Sequence, residues 1–105
     1  MAVAQIFVLR PRPGRLQEFM KDVVRVDRMV SRNGGKMRVW NTESGGEPGT
    51  IGVVVETTDW RGFGEYNAKM EADPEWRAFL AEISSQRDPA ADMVRTQISV
   101  ELPVG

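Results

Sequence analysis

The sequence contains no cysteine and no histidine. Together these absences exclude disulfides, thiol nucleophiles, Ser-His and Cys-His catalysis, thiolate or imidazole zinc sites and a histidine ligand for haem iron. An excess of either charge is also lacking. Fourteen Lys and Arg stand against fifteen Asp and Glu, a net charge of -1, so neither nucleic acid nor an anionic membrane is an expected partner. No apolar run is long enough to span a membrane, and Met1-Ala2-Val3-Ala4-Gln5-Ile6 lacks the basic start and cleavage site of a signal peptide, so the expected location is the cytoplasm. Carboxylates alone remain as hard-metal ligands, but calcium-loop spacing is absent, and the expectation is no metal and no cofactor.

What is present suits one domain over residues 1–105, with 41% hydrophobic residues to build its core. Ala2 to Leu9 is short, apolar and rich in β-formers; it is expected to end where Pro11 and Pro13 interrupt strand pairing. From Arg15 to Arg32, Leu16, Phe19, Met20, Val23 and Val30 recur at helical spacing, with Gly14 as N-cap and Asn33-Gly34-Gly35 as the stop. Lys36 to Thr42 and Thr50 to Thr57 read as strands joined by a Gly- and Pro-rich loop. Asp59 caps a second helical region carrying Trp60, Phe63 and Met70. Asp73-Pro74-Glu75 restarts it with Trp76, Phe79, Leu80 and Ile83 in a stripe. Met93 to Leu102 alternates as a last strand. The order β-α-β-β-α-β predicts an α+β, ferredoxin-like fold: a four-stranded antiparallel sheet with two helical regions on one face.

Alternation then divides each strand between two faces. Ala4, Ile6, Val8, Met37, Val39, Ile51, Val53, Val55, Ile98, Val100 and Leu102 form an aliphatic set expected to face the helices. The opposite set is mixed, and its candidates for a ligand pocket are Gln5, Phe7, Arg38, Trp40, Val54, Glu56, Arg95 and Gln97. Trp40 offers an aromatic wall, and Arg38 or Arg95 a charge for an anionic or polar group. The same residues also suit a homodimer core in which two sheets pack face to face. Glu56 is expected to pair with a nearby Arg rather than act as a base, and Asp27 to bridge to a neighbouring Arg. Asn67 and Tyr66 are placed at a pocket rim or among packing residues, and Trp60 and Trp76 are expected in the core.

Val8-Leu9-Arg10-Pro11-Arg12-Pro13-Gly14-Arg15-Leu16, the strand bearing Trp40, and Asp73-Pro74-Glu75-Trp76-Arg77-Ala78-Phe79 resemble the NIPSNAP-like branch of the dimeric α+β barrel superfamily. The resemblance implies a homodimer whose two sheets close into one barrel around a cavity. Among the superfamily's activities, haem degradation needs an iron-ligating histidine that is missing here. The expected function is binding of a small organic ligand on the sheet face opposite the helices. The alternatives are cofactor-independent, monooxygenase-like chemistry on an aromatic or carbonyl compound, and a structural module with a filled barrel. No specific catalytic residue emerges.

Overall fold

The first strand, β1 (Val3–Pro11), carries apolar side chains on both faces and is paired along both edges, by β3 and β4. It runs two residues beyond the expected stop at Leu9, because Pro11 falls where its missing N–H costs nothing. Arg12 donates its backbone N–H toward β4, so the nitrogen of Pro11 faces the other neighbour, whose pairing has already ended at Leu9 opposite Ile51. The structure, a computed structural model, describes residues 1–104.

After Gly14 turns the chain at a φ of +75°, α1 (Leu16–Arg32) begins with Arg15 at its N-cap, one residue later than the glycine expected there. Its buried side chains are Phe19, Val23, Met29 and Val30, and it ends at Asn33 and left-handed Gly34. The strands β2 (Lys36–Asn41) and β3 (Ile51–Thr57) follow as expected. Asp59 caps α2 (Trp60–Ala72) by accepting from the Gly62 N–H at 2.7 Å. Asp73 ends that helix and caps the next, α3 (Pro74–Ser84), accepting from the N–H of Glu75 at 2.9 Å. The last strand is β4 (Ala91–Val100). The sheet order is β2-β3-β1-β4, each neighbour antiparallel, which is the ferredoxin-like arrangement.

Register corrects one part of the face assignment. Phe7 lies opposite Val53, Gln5 opposite Val55 and Leu9 opposite Ile51, so Gln5, Phe7 and Leu9 share the helix side with the buried β3 residues. Ala4, Ile6 and Val8 lie on the open side. The other three strands keep the expected parity: Met37 pairs with Val55 on the helix side, Arg38 with Val54 on the open side, and Ile98 with Gln5 on the helix side. The error in β1 has a physical cause. Parity is legible only where one face is polar, and β1 carries Val3, Phe7 and Leu9 on one face and Ile6 and Val8 on the other, so Gln5, the one polar residue between Val3 and Leu9, pointed the wrong way.

The core forms two adjoining clusters over the middle of the sheet, one around Phe19, Val23, Ile51 and Val53, the other around Val30, Val55, Tyr66 and Met70. Each fully buried side chain of this size is worth about 1.5–3 kcal/mol. Trp60 is not part of either. It is 58% exposed and meets Phe63 edge to face at 5.9 Å. With Cα extents of 42 × 37 × 18 Å, the chain is a flat slab, helices on one side of the sheet and nothing on the other. No helix of the described residues is long and apolar enough to cross a membrane.

Candidate functional site

Two polar clusters pin α1 and thereby set the space beneath it. At its start, the Arg12 guanidinium donates to Asp92 at 2.9 Å and to Asp88 at 2.7 Å, while Arg15 donates to the Asp88 carbonyl at 2.7 Å and to Glu18 at 2.8 Å. These contacts hold the segment before β4 against the helix. At its end, Arg32 donates to the Asp73 carboxylate at 2.6 Å and Asn33 to the same oxygen at 2.8 Å, tying α1 to the junction of α2 and α3. The Asp73 carboxyl is held down to about 2, first by Arg32 and then by Asn33. Arg28 and Arg32 likewise hold the neighbouring Glu75 carboxyl low, at 2.7 and 3.0 Å.

Between these anchors a cavity of about 560 Å³ separates the sheet from the helices. Gln5, Phe7 and Leu9 of β1, Val53 and Val55 of β3 and Met93 of β4 form its floor, and Phe19, Val23, Val26 and Val30 of α1 one wall. Tyr66, Asn67 and Met70 of α2 with Trp76, Phe79 and Leu80 of α3 form the other. Phe79 stacks on Trp76 at 5.8 Å and carries the Arg25 guanidinium 4.9 Å from its centroid, which keeps both rings in place.

The polar groups in this apolar setting are few. The Asp22 carboxylate projects from α1 with Arg25 3.8 Å away, but Arg25 spends its stronger contacts on Glu82 at 3.1 Å. Burial raises the Asp22 pKa; Arg25 opposes this, and Glu82 and Glu18 add to it. Tyr66 is only 5% exposed, and burial pushes its phenol up to about 12, so it is a neutral hydroxyl at any ordinary pH. No fully buried side-chain nitrogen or oxygen among the described residues lacks a partner, and the hydroxyl of Tyr66 has none, so it keeps accessible surface of its own. Gln5 and Asn67 also line the cavity, and Glu71 and Gln86 complete its polar set.

The space within one chain lies on the helix side of the sheet, whereas the expected pocket is on the face opposite the helices. Of the eight candidates, Gln5 and Phe7 line the cavity because of the β1 parity; Arg38, Trp40, Val54, Glu56, Arg95 and Gln97 lie together on the open face. There Trp40 is 61% exposed, and Arg95 pairs with Glu47 of the β2–β3 loop rather than with Glu56. Glu56 faces Lys36 and Ala4 across the sheet and makes no ion pair among the described residues. Asp27 accepts the Ser31 hydroxyl at 3.2 Å instead of an Arg. Asp22 was not singled out in the sequence, although its spacing to Phe19, Val23, Val26 and Val30 places it on the same face of α1.

No family model matches the chain, and no curated protein does. Solved structures do. A NIPSNAP family protein from Agrobacterium tumefaciens is 18% identical over 98% of this chain and 86% of its own, with a TM-score of 0.70. A NIPSNAP domain protein from Burkholderia xenovorans is 19% identical over 99% of this chain and 95% of its own, also at 0.70. A variant of SnoaB, a cofactor-independent oxygenase from Streptomyces nogalater, is 12% identical over 98% of this chain and 95% of its own, at 0.66. At these identities the likeness is one of backbone, and the chain has the ferredoxin-like α+β fold of the NIPSNAP proteins and of SnoaB.

Proposed function

We propose that this protein binds a small, mainly apolar organic molecule in the cavity between its sheet and its helices, and that it does so as a homodimer. The observation that carries the first part is a built space of about 560 Å³, inside the roughly 300–1,000 Å³ range of ligand sites, with apolar walls and a few polar groups not committed to one another. Rings and aliphatic chains fit the walls; Gln5, Tyr66 and Asn67 offer hydrogen bonds to fix orientation. The second part is supported by the open sheet face, where the half-buried Ile6 and Val54 lie beside the exposed Trp40 with no layer over them. A Cα radius of gyration of 14.4 Å, against about 13 Å for a compact chain of this length, fits half of a larger body.

The second reading places cofactor-independent oxidation in the same cavity. The fold shared with SnoaB supports it.

Native mass spectrometry of protein purified from cell extract tests binding and assembly together. The expected species has twice the 11.8 kDa chain mass and carries a small organic adduct that Met93→Trp, which puts a bulkier side chain on the half-exposed β4 side of the cavity, removes. A bare species at the single-chain mass, with no quenching of the wall residue Trp76 by added aromatic compounds, would overturn the proposal. Oxygen uptake with a phenolic compound, lost in Met93→Trp, would decide for the oxidative reading.

A further inference from the structure

The cavity described above is lined by 24 of the described residues, and none of these is Lys or Arg. Its charged groups are Asp22 and Glu71, both acidic. Two cations that touch its lining are already engaged: Arg25, 4.9 Å from the Phe79 ring, with Glu82 at 3.1 Å, and Arg15, 3.2 Å from the Pro89 carbonyl, with Glu18 at 2.8 Å and Asp88 at 3.0 Å. An anion entering this space would meet two carboxylates in apolar surroundings, with no free guanidinium or ammonium to replace its lost water. A protonated amine would meet the opposite. Its N–H groups would donate to the Asp22 carboxylate, whose nearest cation stands 3.8 Å away, and its hydrocarbon body would lie against Phe7, Val23 and Phe79.

A second observation points the same way. Tyr66, 5% exposed and neutral, is a wall residue whose hydroxyl has no protein partner, and the Gln5 and Asn67 amides likewise make no side-chain hydrogen bond within the described residues. These groups serve an uncharged hydroxyl or amide of the ligand and leave Asp22 as the charge-selecting contact.

Resting on the proposal that this cavity is a binding site, we infer that it selects amines, accepts the corresponding alcohols less tightly, and rejects carboxylates. Asp22 is the residue that sets this order. This charge preference is the opposite of the one that Arg38 and Arg95 would impose, and both of those lie on the other face of the sheet.

Three probes sharing one ring system test it at neutral pH: naphthylmethylamine, naphthylmethanol and naphthoate, titrated against the intact protein with Trp76 fluorescence and calorimetry as readouts. The expected result is a Kd for the amine about tenfold or more below that for the carboxylate, with the alcohol between. Asp22→Asn, which keeps the side-chain shape, is expected to bring amine and alcohol to within about twofold while leaving the alcohol Kd unchanged. Met93→Trp is expected to abolish binding of all three, which separates cavity binding from attachment of a cation to the acidic surface. Carboxylate binding equal to or tighter than amine binding would overturn the charge inference and leave the cavity proposal standing. Absence of binding by every probe would overturn both. The preference is read on the unaltered protein, so it does not depend on how well either variant folds.

Discussion

Gly35 sits against side chains of α1, α2 and β3 at once, and replacing it with alanine is the sharpest test of the packing described above. A Cβ built there lies 2.8 Å from Val30 Cγ1, 2.9 Å from Tyr66 Cε1 and 3.0 Å from Val55 Cγ1. Carbon atoms at rest sit about 3.5–4.0 Å apart, so each neighbour must retreat by roughly 0.5–1 Å. Val30 and Val55 are almost fully buried, so they and Tyr66 can yield only toward the cavity they line, at the cost of their present packing. Overpacking of this kind costs about 1–3 kcal/mol, and loss of glycine's freedom in the unfolded chain returns about 0.4–1 kcal/mol. Three such contacts at once place the cost in the upper part of that range, so the net expectation for Gly35→Ala is a loss of about 1–2.5 kcal/mol, read as a fall in Tm of about 5–20 °C by far-ultraviolet circular dichroism. Two companion variants separate packing from backbone effects. Gly34→Ala meets no atom within 4 Å but sits at a φ of +97°, so it should lose about 1–2 kcal/mol through backbone strain alone. Gly64→Ala, inside α2 with open space around it, should gain about 0.5–1 kcal/mol. A Gly35→Ala protein as stable as the parent, alongside the expected results at the other two positions, would refute the claim that Tyr66, Val30 and Val55 are wedged together.

The remaining predictions concern pH. Asp73 is held at about 2 against an ordinary 3.8, so its contribution is complete above 3.8 and lost as pH falls through the window down to about 2; in urea titrations across that window Asp73→Asn should show a shallower acid loss than the parent. Asp22 has the opposite sign. Its pKa is raised in the folded protein, so ionisation opposes folding as pH rises above 3.8, and Asp22→Asn should be the more stable protein at neutral pH, converging with the parent at and below 3.8. An Asp22→Asn protein less stable than the parent at neutral pH would show that the carboxylate is held by favourable contacts rather than merely desolvated.

The elements and their order were legible because each is marked by local chemistry: Asp59 and Asp73 at helix starts, the glycines after Arg32, the clean alternation of β3 and β4. Three of the four strands also declared which way they face. What could not be read was β1, where apolar residues on both sides erase the period-2 signal, and with it the side of the sheet on which Gln5 and Phe7 would be found. The exposure of Trp60 is not legible either, because aromatic spacing on a helix indicates a shared face, not which face is covered. Nor is Asp22, since one acid among the many charges of α1 carries no signal until the walls around it are known.

The same centrality of β1 bears on how the chain is made. Its partners β3 and β4 are both later in the sequence, and the Arg12–Asp92 contact closes a loop of 80 residues. During synthesis β1 therefore waits, apolar on two faces and with one edge unpaired, until β4 has emerged. Pairings so distant in sequence form slowly, because the entropy of loop closure must be met before they are rewarded. A nascent chain stalled before β4 exposes an edge-strand template for wrong pairing, and its capture by chaperones should fall sharply once residues 91–100 clear the ribosome.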